Sequence, residues 1–118
     1  MRTDLVAIDI RRGRDHGLPA FNAARVAVGL QPLANFSQLT ADTNVSKLLD
    51  ELYGHPDQCD LYVCGMLEKH AAADPHTFRT DRAVVGETFK AIITRQFANT
   101  RNGDRFWYQG GATPLKRH

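Results

Sequence analysis

One run near the start of the chain constrains the fold more than any other stretch: Asp4-Leu5-Val6-Ala7-Ile8-Asp9-Ile10-Arg11-Arg12-Gly13-Arg14-Asp15-His16-Gly17. At helical spacing Leu5, Ile8, Asp9 and Arg12 fall at i, i+3, i+4 and i+7, so they share one face. An ordinary amphipathic helix keeps its charges on the face opposite its apolar stripe. Here a carboxylate and a guanidinium continue the stripe, as they would in a helix lining a pocket for a ligand that is both apolar and anionic. Thr3 is a suitable N-cap, with Asp4 at the positive end of the helix dipole. Gly13 weakens the helix, Gly17 ends it, and Pro19 excludes its continuation.

Further elements follow from punctuation and periodicity. Pro19 suits the start of a second helix over 20–28, closed by Gly29. Residues 31–40 read as a connection with one short turn at Ser37-Gln38-Leu39. A third helix is the clearest on spacing: Val45, Leu48, Leu49 and Leu52 repeat at i, i+3, i+4 and i+7, and Gly54 and Pro56 stop it. Residues 57–68 suggest helical turns around Gly65. Residues 70–82, broken at Asp74-Pro75, suggest a surface loop. A fourth helix over 82–100 carries Val85, Phe89, Ile92, Ile93, Gln96 and Phe97 as its buried stripe. A turn at Asn102-Gly103-Asp104 leads to the aromatic cluster Phe106-Trp107-Tyr108, which should bury a large apolar area. No stretch alternates like a strand, so the chain is all-α in expectation.

Several function classes are excluded by composition. At 118 residues the chain is one small domain at most. A net charge of +2, with acids and bases interleaved, gives no nucleic-acid footprint. No apolar run approaches the ~20 residues of a membrane-spanning helix. Met1-Arg2-Thr3 leads straight into the first helix, so no signal peptide is expected in this sequence. Cys59 and Cys64 make no disulfide framework. If their segment is helical, i and i+5 point in different directions and cannot easily bridge, so partly buried free thiols are expected, with pairing to cysteines elsewhere as the alternative.

Haem, an apolar macrocycle with carboxylate tails, is a ligand of the kind the first helix suits. The string Ile10-Arg11-Arg12-Gly13-Arg14-Asp15-His16-Gly17-Leu18-Pro19 closely resembles a signature of the animal-type haem peroxidases, the superfamily of peroxidasin, myeloperoxidase and thyroid peroxidase. Asn102-Gly103-Asp104-Arg105-Phe106-Trp107-Tyr108 resembles a second. Between them Asp60-Leu61-Tyr62-Val63, Gly65-Met66-Leu67-Glu68 and Val85-Gly86-Glu87-Thr88-Phe89 occur in the family's order. The resemblance implies that residues 1–108 are a C-terminal part of such a domain, with 109–118 a polar tail. It implies a peroxide-dependent oxidoreductase acting in peroxide metabolism and the response to oxidative stress. Haem and iron would be its cofactor, hydrogen peroxide and small reducing donors its substrates, and the extracellular space its location. The distal His and Arg and the iron-ligating His would lie in the missing N-terminal part of the domain, so this chain alone should lack activity.

Residue by residue, the resemblance assigns Asp9 the position of the group that accepts a hydrogen bond from the iron-ligating His. The family usually has Asn there; a carboxylate would draw the imidazole toward imidazolate and lower the iron potential. The competing reading is a solvated helix charge, or an ion-pair partner of Arg12 at i+3. Arg12 resembles the Arg that binds a haem propionate, a role its planar fork suits. Leu5 and Ile8 match apolar positions packing near the ring. His16 as an iron ligand is the minor reading. It groups instead with Arg14 and Asp15 as structural, tying the helix end into a buried polar network; Asp104, Arg105 and Trp107 likewise read as turn and packing residues. The family usually has apolar residues or Gly at the positions of Cys59 and Cys64. Asn35-Phe36-Ser37 and Asn44-Val45-Ser46 fit the N-glycosylation pattern, making Asn35 and Asn44 candidate acceptors. The alternative to a peroxidase part is a short non-catalytic helical pseudoenzyme or interaction module. An uncovered face around Leu5 and Ile8 would make the isolated chain aggregate or pack loosely.

Overall fold

The computed structural model describes residues 4–70 and 84–108, and every regular element among them is helical. Helix α1 spans Leu5–Asp15, α2 Phe21–Ala27, α3 Phe36–Leu39 and α4 Thr43–Tyr53. A single 3-10 turn, Pro56–Gln58, precedes α5, Leu61–Leu67, and α6 runs from Glu87 to Gly103. Two isolated bridges, Ala20 with Asp60 and His70 with Gly86, join the connecting segments.

Side-chain caps explain where most of these helices start. Asp4 is itself the N-cap of α1, its carboxylate accepting from the Ala7 N–H at 3.1 Å. The expected cap, Thr3, lies outside the described residues. Asn35 caps α3 and Asp42 caps α4 through the amides of Gln38, Asn44 and Val45. Gly54 closes α4 with φ 72°, a left-handed position that costs a glycine little. The loop expected over 70–82 lies, His70 apart, outside the described residues, as do the tail 109–118 and the first two residues of the expected last helix. Val84 to Gly86, expected to be helical, are not, because Gly86 is the extended N-cap of α6.

The core is small. Phe21, Phe36, Leu39, Leu49, Cys59 and Cys64 are buried together, with Leu33, Val45, Tyr53, Leu61 and Val63 packed at their edge. Asn22 braces this core: its amide bonds the Leu33 carbonyl at 2.9 Å and Asp57 at 2.6 Å, while its oxygen accepts from the Leu33 N–H at 2.8 Å.

Four expectations fail here, each for a physical reason. Cys59 and Cys64 form a disulfide, their Cα atoms 6.2 Å apart. Cys59 is not helical; it ends the 3-10 turn with extended φ/ψ of −72° and 133°, which swings its side chain toward the first turns of α5. Helix α6 continues through Asn102 and Gly103, so the expected turn there is helix, and Asp104 is its C-cap. The stripe expected on α6 is only partly covered: Val85, Phe89 and Ile92 are half-buried, the Phe89 ring lying against Gly65 of α5 near the helix start, while Ile93, Gln96 and Phe97 further along are exposed. The aromatic cluster is also open, with Phe106 and Tyr108 exposed and the Trp107 ring tilted against that of Tyr108 at 5.0 Å. On α4, Val45 and Leu49 face the core while Leu48 and Leu52 remain exposed.

Candidate functional site

Helix α1 presents two unlike faces. Ile10, Gly13 and Arg14 line a cavity of about 150 Å³ together with Leu18, Asp60 and Leu61 of the neighbouring segments. At about 100° per residue, Leu5, Ile8 and Arg12 lie roughly half a turn from Ile10, on the side away from α5. Leu5 is 68% exposed and Ile8 41%. Asp9 flanks this face and is half-buried; Arg12 is exposed. No ion pair joins Asp9 to Arg12 among the described residues, so of the two competing readings the ion pair is not what the structure forms.

The donor set on this face fits haem. Two apolar side chains are available to a ring, and one turn beyond the Arg12 guanidinium, with no partner among the described residues, is available to a carboxylate. Asp9, lacking a partner of its own among the described residues, can accept a proton-bearing nitrogen. The remaining site expectations fall in different places. His16 turns its Nδ1 onto the Arg12 carbonyl at 2.9 Å, and its own N–H bonds the same oxygen at 3.0 Å, so it closes the end of α1. Asp15 is exposed and joins no network among the described residues. Asp104 anchors the chain after α6 by accepting the Phe106 N–H at 2.8 Å, and Arg105 lies over the Phe106 ring. Trp107 is not a buried packing residue.

Arg14 does tie the helix end down, but at the surface rather than in a buried network. Its Nε and a terminal nitrogen donate to the two Asp60 oxygens at 2.9 and 2.6 Å, while its own side chain is 64% exposed. The Tyr53 hydroxyl donates to Asp60 as well, at 2.9 Å. Hydrogen bonding from Arg14, helped by Tyr53, holds the Asp60 carboxyl below the usual carboxylate range against the opposing effect of burial. Burial, followed by the bond to Asp60, pushes the Tyr53 phenol up.

The buried polar network lies elsewhere, at residues given no role in the sequence reading. Arg25, inside α2, donates to Glu68 and to Thr88 Oγ1 from one nitrogen, to Glu87 at 2.9 Å from another, and to the Gln31 carbonyl at 2.8 Å through Nε. Glu68 also accepts the Thr88 N–H at 2.9 Å. The Arg25 and Glu68 side chains are 5% and 4% exposed. A Cβ at Gly86 would collide with Glu68, and one at Gly65 would collide with the Phe89 ring. The motif strings containing Glu68, Gly86 and Thr88 were the available signal; Arg25, in an otherwise apolar stretch, gave none beyond its position.

Residues 1–116 match the family model described as animal haem peroxidase. Peroxinectin A of Dictyostelium discoideum is 39% identical over 106 residues, a match covering 90% of this chain and 18% of that protein. Thyroid peroxidase of Canis lupus familiaris is 38% identical over 109 residues, 90% of this chain and 11% of its own length. Among solved structures, peroxidase A from Dictyostelium discoideum superposes with a TM-score of 0.75 at 39% identity, over 90% of this chain and 19% of that one. A fatty acid alpha-dioxygenase from Oryza sativa gives a TM-score of 0.74 at 26% identity, over 90% and 16%. The chain therefore spans less than a fifth of the length of each of these proteins.

Proposed function

This chain belongs to the animal haem peroxidase family, and on that premise we propose that α1 forms part of the proximal wall of a haem pocket in a peroxidase acting on small donors such as phenols or halides. The observation that carries the reading is the unpacked face of α1, where Leu5, Ile8 and Arg12 stand on the side turned away from α5 with the half-buried Asp9 at its edge. Haem, when bound, supplies the redox chemistry by which hydrogen peroxide is reduced to water at the expense of two electrons from donors. The residues of this chain bind and tune: Leu5 and Ile8 pack on the ring, Arg12 pairs with a propionate, and Asp9 accepts the Nδ1–H of the iron-ligating His. That His, and the distal His and Arg, are in this reading supplied by residues other than these 118.

The test uses the full-length peroxidase. Replacing Arg12 with Gln removes a charge-assisted hydrogen bond worth about 1.5–3 kcal/mol, so haem should dissociate roughly 10- to 150-fold more readily. Asp9→Asn should raise the Fe(III)/Fe(II) potential, since the acceptor loses its negative charge. Unchanged haem retention together with an unchanged potential would sink the reading.

The same proposal puts the chain in the secretory pathway. The buried Cys59–Cys64 disulfide supports it, because such pairs persist in oxidising compartments. Asn35 and Asn44 are both exposed, so either can carry a glycan without disturbing the core. A mobility shift on glycosidase treatment that disappears in Asn35→Gln/Asn44→Gln is the expected outcome. A protein of unshifted mass from secreting cells would count against glycosylation at either residue.

A further inference from the structure

Helix α1 buries none of its residues. Beneath its C-terminal half lies the cavity of about 150 Å³ between Ile10, Gly13 and Leu61, so packing among the described residues does not fix its orientation closely. Among the described residues Arg14 is the one α1 side chain that bonds another element. Its two bonds to Asp60 are parallel and bidentate, a geometry that restricts direction as well as distance. Asp60 is in turn held from the other side by Tyr53, and it sits directly after Cys59, whose disulfide and whose carbonyl bond to the Phe21 N–H fix that segment to the core. The clamp thus connects a loosely packed helix to the most rigidly tied stretch of the chain.

We infer that Arg14 is a positioning residue: by gripping Asp60 it sets the tilt of α1 and so the place of Asp9 and Arg12 against their ligand. The inference rests on the haem-wall reading above. The lever is long enough to matter. Taking about 1.5 Å of rise per residue, a tilt of about 10° pivoting at Arg14 moves Asp9 by about 1.3 Å and Leu5 by about 2.3 Å. A shift of that size carries an acceptor from an ordinary hydrogen bond of about 2.9 Å to beyond 3.5 Å, where the bond is lost.

The experiment compares Arg14→Gln, Asp60→Asn, the double variant and Arg14→Lys in the full-length peroxidase. Arg14 is largely exposed, so Arg14→Gln leaves the core intact. Two readouts are needed: hydrogen exchange along α1 with α4 as internal control, and the Fe(III)/Fe(II) potential with Asp9→Asn as reference. Each single variant should speed exchange in α1 about tenfold without touching α4, and the double should be no worse than either single. The potential should move in the direction that Asp9→Asn moves it, with Arg14→Lys restoring part of the shift. Equal acceleration in α1 and α4 would mean a merely structural contact and overturn the inference. So would a loosened α1 with an unmoved potential while Asp9→Asn shifts it. If Asp9→Asn itself leaves the potential unmoved, the haem-wall reading fails, and the positioning role falls with it.

Discussion

Replacing Glu68 with Gln should weaken the structure far more than any change on α1. The Glu68 carboxylate is almost wholly buried and accepts from Arg25, from the Thr88 amide and from Thr88 Oγ1. Gln keeps the shape but turns one oxygen into an NH2 group. Whichever way that amide is turned, a donor then faces a donor, either the Thr88 N–H or the Arg25 guanidinium. The buried Arg25 charge also loses its closest counter-charge, and what remains is Glu87, whose side chain is 56% exposed. Breaking one side of a buried pair typically costs about 3–5 kcal/mol, whereas a solvent-screened partner contributes about 0–1 kcal/mol. The contrast is therefore internal to one arginine: Glu68→Gln should cost about 3 kcal/mol and Glu87→Gln less than about 1. The assay is residue-resolved hydrogen exchange of the Thr88 amide, which is buried and donates directly to Glu68. At about 1.4 kcal/mol per factor of ten, Glu68→Gln should reduce its protection roughly 100-fold. A loss under threefold, or equal losses for Glu68→Gln and Glu87→Gln, would refute the argument that burial makes this pair matter.

Other expectations follow from the same geometry. Cys59→Ala/Cys64→Ala should cost about 2 kcal/mol, the loop being short; alkylation of both thiols in denaturant without reductant would show that the bridge does not exist. Gly65→Ala should cost about 1–3 kcal/mol by driving a methyl into the Phe89 ring, and Phe89→Leu should relieve much of it in a thermal-stability comparison. For pH, the folded Asp60 carboxyl titrates below its unfolded value, so its stabilisation is complete above about pH 4 and is lost as pH falls through the lowered folded value. Protection of α1 against exchange should drop on that acid side, and Asp60→Asn should abolish the step.

Helices α1 to α4 were legible because their signals are local. Gly29 and Gly54 end α2 and α4 at positive φ, as their positions after the periodic runs imply. The caps were less legible, since Asp4 rather than the expected Thr3 caps α1 and the capping roles of Asn35 and Asp42 were not singled out. Periodicity also gave the face of α1 that the structure leaves unpacked. The Arg25–Glu68–Thr88 network was not legible, since its members are 43 and 63 residues apart along the chain and no local rule pairs them. Nor was the disulfide, because the argument against it assumed one continuous helix over both cysteines. His55 and Pro56 instead start a separate 3-10 turn there, which leaves Cys59 extended.

The misread stripe on α6 and the misread cluster after it share one cause that also bears on function. Periodicity reports which face of a helix is apolar; it does not report what covers that face. Phe97, Phe106 and Tyr108 on and after α6, Leu48 and Leu52 on α4, and Leu5 and Ile8 on α1 are apolar in the sequence and exposed in the structure. On α1 the exposed apolar face also carries Asp9 and Arg12, polar groups with nothing among the described residues to bind. On α4 the exposed leucines carry no such company. A surface that only needs covering requires area alone, so leucines suffice. A surface that must also orient an anionic, apolar ligand requires a fixed charge and a fixed acceptor at set distances along one helix. That difference separates α1 from the other uncovered faces, and on the haem-wall proposal it makes the orientation of α1, and the Arg14–Asp60 clamp proposed to set it, matter more to the chemistry than the other apolar surfaces do.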